Sequence, residues 1–72
     1  MAKKTPLCRV LRTHRERLGL TLREAGEKTG VDHSFIYRIE AGISIPSITI
    51  LADLVYGYGL TIQGVLQESG IR

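Results

Sequence analysis

The side chains best suited to meeting a partner are His33, Ser34, Tyr37 and Arg38, four polar groups within six residues. Together they offer an imidazole, two hydroxyls and a guanidinium. The chemistry open to such a set is outward hydrogen bonding and charge pairing, of the kind that base edges and phosphates accept. Catalysis is a poor fit. The single cysteine, Cys8, and the two histidines, His14 and His33, form no Cys-His or Ser-His-acid arrangement, and 72 residues leave little material to shape a closed pocket. One cysteine and two distant histidines are not a metal-ligand set either, so neither metal nor cofactor is expected.

The elements that must position those four groups lie between Thr21 and Gly42, in TLREAGEKTGVDHSFIYRIEAG. Thr21 can cap a helix, and Glu24, three residues on, completes a capping box. Gly30 can take the left-handed conformation that ends this helix. Val31 enters a turn, Asp32 caps a second helix from about His33 to Ala41, and Gly42 stops it. Two helices joined by so short a link have helix-turn-helix geometry. Ala25, Val31, Ile36 and Ile39 fall where two crossed helices touch, and Gly26 falls where a larger side chain would hold them apart. That leaves His33, Ser34, Tyr37 and Arg38 on the outer face.

Around this unit the chain predicts three more helices. Pro6, with Thr5 as cap, opens a helix to Leu18 whose stripe is Leu7, Val10, Leu11, His14 and Leu18, with Gly19 after it. His14 on that stripe reads as a core-edge histidine bonded to backbone, and Cys8 as a partly buried small residue. After the loop GISIP, Ser47 caps a helix over about 48–56 with Ile48, Leu51, Ala52 and Val55 inward and Leu54 completing the face. Gly57 and Gly59 break the chain, and Thr61 caps a last helix over about 62–67. The expected organisation is a basic arm over 1–5, one domain over 6–68 and a frayed tail over 69–72, with an all-α, compact five-helix bundle as the fold.

Charge supports a polyanionic partner. The net charge is +3, but residues 1–38 hold nine Lys/Arg against four acids, whereas residues 39–72 hold one against three. Arg12, Arg23 and Lys28 are phosphate candidates, as are Lys3, Lys4 and Arg9, and the backbone N–H of Leu22 at a helix start can meet an anion. The last third carries more apolar side chains than a small core needs. Tyr56, Tyr58, Leu66 and Ile71 are therefore expected at a dimer interface, beside Ile43, Ile45 and Ile50. The N-terminus has no leader-like apolar run. The longest apolar stretch, 48–55, includes Asp53 and is too short to span a bilayer, so a cytoplasmic chain is expected.

Over Leu7 to Leu66 the sequence resembles the Cro-like, phage-repressor-like helix-turn-helix domains, the Xre family. The resemblance rests on Arg15, Leu18-Gly19-Leu20-Thr21, Gly30-Val31, Ile36, Arg38-Ile39-Glu40, Gly42, Pro46-Ser47, Leu51 and Gly59. It implies a lambda-repressor-like fold of five helices with the third in the DNA major groove. It also implies a transcriptional regulator, most often a repressor, dimeric on a palindromic operator of double-stranded DNA. Carried over by position, His33, Ser34, Phe35, Tyr37 and Arg38 are base-reading, and Arg15 and Glu40 form a structural pair. The chain departs from the family pattern at Leu22, where glutamine is common, at Ala25-Gly26, at His14, and in GISIP, which lacks basic residues. The alternative is an antitoxin or protein-interaction adaptor on the same fold. No small-molecule effector site is evident.

Overall fold

Five helices make up most of residues 6–70, the part of the chain that the computed structural model describes. The expected arm at 1–5, with Lys3, Lys4 and the Thr5 cap, lies outside the described residues, as do Ile71 and Arg72. The helices are α1 (Leu7–Arg17), α2 (Leu22–Thr29), α3 (His33–Glu40), α4 (Ile48–Gly57) and α5 (Ile62–Glu68).

Local chemistry sets their starts. The side chains of Thr21, Asp32, Ser47 and Thr61 each accept a first-turn N–H, while α1 begins at Pro6 with no side-chain cap. Gly30, at φ +79°, ends α2 in the left-handed conformation, which only a glycine takes at no steric cost. α4 runs one residue further than its sequence pattern predicts, through Gly57, and the left-handed break falls on Gly59.

α1 packs on α3 and α5, α2 on α3 and α4, and α4 meets α5 at 98°. The core they enclose includes Leu11, Ile36, Ile39, Leu54, Val55 and Val65, all essentially without solvent contact. Two small residues fix how closely the helices approach. A Cβ on Gly26 would stand 3.0 Å from the Val31 carbonyl oxygen and 3.3 Å from His33 Cβ. A Cβ on Gly57 would stand 2.6 Å from Thr29 Cγ2, so the end of α2 rests directly on the end of α4. Thr29 is itself held there: its hydroxyl donates to the Ala25 carbonyl and accepts the Val31 N–H.

Five expectations need correction. Leu18 is exposed, because α1 has already ended and Leu18 is its C-cap. Ile48 is 68% exposed: spacing aligns it with Leu51 and Val55, but as the first residue of α4 it lies one turn before the buried part of that face begins. Tyr58 is 5% exposed and belongs to the core rather than to an open surface, while Leu66 is half-buried against that core. Ser69, expected in the tail, is instead buried, is the C-cap of α5 and donates its hydroxyl to the Leu66 carbonyl. His14 bonds a carboxylate rather than backbone, its Nε2 standing 2.8 and 3.1 Å from the two Glu68 oxygens. Among the described residues the large apolar side chains left exposed are Ile43, Ile45, Ile48 and Tyr56, with Leu18 and Tyr37 elsewhere.

Candidate nucleic-acid interface

α3 turns one face inward and one outward because its apolar residues sit at helical spacing. Ile36 and Ile39 are buried, and Phe35 packs partly against the core beside them. His33, Ser34, Tyr37 and Arg38 are exposed. The structure thus places four of the five base-reading candidates on one open face. Phe35 is half-buried and packs partly against the core, so only part of it is open.

The front of α3 is fixed by Asp32. One carboxylate oxygen, Oδ1, accepts both the Ser34 N–H (2.9 Å) and the Ser34 hydroxyl (2.8 Å). The Ser34 amide, and after it the hydroxyl, hold the Asp32 carboxyl below its usual range, so this cap is ionised at neutral pH. His33 Nδ1 stands 3.7 Å from the same oxygen. The capping role of Asp32 was legible from its position. The grip on the Ser34 hydroxyl was not, although Asp followed two residues later by Ser is the local signal for it.

The rear of α3 is clamped to α1. Arg15 Nε donates to Glu40 Oε2 at 2.8 Å and Nη2 to Oε1 at 2.9 Å, a two-bonded fork, while Nη1 donates to the Leu20 carbonyl at 2.8 Å. The two side chains are 11% and 7% exposed. The Glu40 bonds push the Arg15 pKa up against the opposing effect of burial, so the guanidinium stays charged. One residue away on α1, His14 reaches α5 instead, through Glu68. Nothing in the sequence could pair residues 54 positions apart.

The phosphate candidates are spread more widely. Arg23 and Lys28 are exposed on α2, and Arg23 rims a shallow cleft between α2 and α3 with Glu27, Asp32 and His33. Leu22 packs partly against the core and offers only its amide at the α2 start. That start also carries the capping box, with Glu24 N–H to Thr21 Oγ1 at 3.1 Å and Thr21 N–H to Glu24 Oε1 at 2.9 Å. The Thr21 amide, and then its hydroxyl, keep the Glu24 carboxyl low, so a negative charge already stands beside the Leu22 amide. Arg12 pairs with Glu16 at 3.2 Å on the exposed side of α1, and Arg9 is exposed nearby. Among the described residues no three His, Cys, Asp or Glu side chains gather to hold a metal ion. No single described helix is long and apolar enough to cross a membrane.

Comparison with known proteins gives a consistent answer. Residues 6–67 match the family model of the helix-turn-helix domain. Among curated proteins, nothing matches the chain. The clp gene regulator ClgR from Corynebacterium glutamicum is similar in two crystal structures. One has TM-score 0.82 and 28% identity, covering 97% of this chain and 95% of that one. The other has TM-score 0.82 and 31% identity, covering 89% and 68%. An HTH_3 family transcriptional regulator from Vibrio cholerae aligns at TM-score 0.80 and 26% identity, over 85% of this chain and 34% of its own length. This chain thus corresponds to about a third of the Vibrio protein. Five helices in this order, a capped turn between α2 and α3, and a match over residues 6–67 place the chain in the helix-turn-helix domain family, of the Cro-like, Xre type.

Proposed function

We propose that the chain is a sequence-specific double-stranded DNA-binding regulator, a repressor that works as a dimer on a palindromic operator. The observation that carries this reading is the outward face of α3: His33, Ser34, Tyr37 and Arg38 stand exposed on a helix whose front is capped and whose rear is clamped. Arg38 reads a guanine edge, Tyr37 a base or phosphate, and His33 and Ser34 the bases near the helix start, with an edge of Phe35 against a sugar or a thymine methyl. Arg23, Lys28 and the Leu22 amide are the phosphate contacts, and Arg12 joins them where its bond to Glu16 opens.

The dimer reading keeps Tyr56, Ile43 and Ile45 from the sequence, drops Tyr58 to the core and adds Ile48. Ile45 is 92% exposed, and Ile43, Ile48 and Tyr56 are exposed with it on or next to α4. Residues 41–48 carry no charged side chain to oppose covering them. A dimer would set its two α3 helices about 34–36 Å apart, one turn of DNA.

Selection from random DNA followed by footprinting tests the reading. The expected result is a palindrome with half-sites one turn apart, affinity that falls steeply with salt, and a loss of about 10- to 100-fold in Arg38→Ala at a selected site. A flat salt response with equal affinity for every sequence would sink it. The same exposed isoleucines favour the second reading, an antitoxin or adaptor. It predicts a stable hetero-complex on gel filtration that Arg38→Ala leaves intact.

A further inference from the structure

The exposed face of α3 has a polarity that the residue list alone does not convey. Ser34 Oγ lies 2.8 Å from Asp32 Oδ1. An ionised carboxylate has no proton to give, so the serine hydroxyl is the donor. Its one proton is spent inside the protein, and what Ser34 turns outward is lone pairs. Asp32 beside it is exposed and can only accept. One turn further along the same face, Arg38 is exposed and can only donate. His33, beside Asp32 and Ser34, and Tyr37, next to Arg38, can each serve either way. The face therefore runs from acceptors at its start to donors at its end.

The major groove discriminates between these ends. Guanine presents two acceptors, thymine one acceptor and a methyl, adenine an acceptor beside an amine, and cytosine an amine alone. A negatively charged acceptor meets a donor alone at cytosine N4, whereas guanine O6 and thymine O4 face it with lone pairs, and at adenine the N6 amine comes only beside the lone pair of N7. We infer that Asp32 and Ser34 act together as a specificity element that selects cytosine, while Arg38, one turn along, selects guanine. Residues 34 and 38 are separated by about 6 Å along the helix axis. That corresponds to roughly two base-pair steps of about 3.4 Å. The inference rests on α3 being the groove-reading helix. It adds the order of the bases, and it turns Asp32 from a cap alone into a reading residue.

The test is parallel selection from random duplex DNA with the wild-type chain, Asp32→Asn and Ser34→Ala. Asparagine caps a helix about as well as aspartate, so Asp32→Asn should melt as the wild type does while its amide now supplies a donor. The base position whose preference changes between wild type and Asp32→Asn marks where residue 32 reads. At that position the wild type is expected to demand cytosine, and Asp32→Asn to admit adenine. Ser34→Ala is expected to weaken the cytosine preference by several-fold without shifting it. Replacing that cytosine by 2-pyrimidinone, which lacks the amine, should cost the wild type about 10-fold in affinity and Asp32→Asn nothing. A specific site whose preferences are identical in wild type and Asp32→Asn, or a changed position that is not cytosine in the wild type, overturns this inference and leaves the DNA-binding reading standing. If no sequence is enriched by the wild type, the DNA-binding reading falls, and the inference falls with it.

Discussion

The helix-turn-helix half and the C-terminal half differ in how much of their surface is held by directional bonds. From α1 to α3, the groups that set the reading helix are paired. Thr21 and Glu24 close a capping box, Asp32 holds both donors of Ser34, Thr29 both donates and accepts, and Arg15 grips Glu40 with two bonds. From residue 43 onward Ser47, Thr61 and Ser69 are still bonded, but large apolar side chains are left open beside them. Ile43, Ile45, Ile48 and Tyr56 stand in solvent, and the Tyr58 hydroxyl is buried without a partner among the described residues. Directional bonds hold one geometry and reject neighbouring ones, which a base-reading surface needs. Apolar area is non-directional and gains free energy only when covered, which suits an association surface.

The largest break in this comparison is expected from Glu40→Ala. It strands the Arg15 guanidinium, which is 11% exposed, against α3. Removing one partner of a buried pair costs about 3–5 kcal/mol. Arg15 keeps the Leu20 carbonyl, so a loss near the lower end, about 3 kcal/mol, is expected in chemical denaturation. The counterpart in the C-terminal half is Glu68→Ala, which frees His14. Glu68 is 48% exposed, and pairs so open to water contribute less than about 1 kcal/mol. Equal losses in the two variants would erase the distinction between the halves.

A smaller effect sharpens the comparison at the joint between them. Gly57→Ala places a methyl 2.6 Å from Thr29 Cγ2 and 2.9 Å from Thr29 Cα, so backbone must move. Overpacking of this kind costs about 1–3 kcal/mol, and we expect a loss near 2 kcal/mol in denaturant unfolding. Gly26→Ala meets its nearest neighbour at 3.0 Å, a strain of a few tenths of an ångström. Against that, alanine gains about 1 kcal/mol of helix propensity over glycine. The net change should lie near zero. A Gly26→Ala loss larger than that of Gly57→Ala would mean that the turn, not the α2–α4 contact, is the tighter joint.

These residues also show what the sequence could and could not convey. Thr21 with Glu24, Gly30, Asp32, Ser47 and Thr61 announce helix ends because capping is local, decided within four residues. The inner face of α3 was equally legible, since Ile36 and Ile39 repeat at helical spacing. The Arg15–Glu40 clamp entered by resemblance alone, because no local rule joins residues 25 positions apart. The C-terminal half misled for a related reason. Its apolar content is dense on nearly every face of α4, so spacing could not say that Ile48 faces out and Tyr58 in. His14 on the apolar stripe pointed correctly to a half-buried site, but its partner lies on α5, set by the bundle rather than by neighbours.

A small effect at neutral pH is expected at Tyr58, and it tests the looser half directly. A buried hydroxyl without a partner forfeits its hydration and recovers nothing, so Tyr58→Phe removes a liability and keeps the ring. Unfolding should change by less than about 1 kcal/mol, toward greater stability. Its signature is in the pH dependence. Burial, followed by the charge of Glu40, pushes the Tyr58 pKa up to about 12 from the ordinary 10.0. Below pH 10 the phenol is protonated in both folded and unfolded chains and adds no slope. Between 10 and 12 the unfolded chain releases the proton while the folded one keeps it, so stability falls as pH rises through that window. Tyr58→Phe should lack this share of the alkaline loss, which denaturant titrations of both proteins at pH 9 and pH 11 can resolve. If the variant is instead less stable by more than about 1 kcal/mol at neutral pH, the hydroxyl has a partner in the folded chain. The C-terminal half would then be held by directional bonds much as α1 to α3 are.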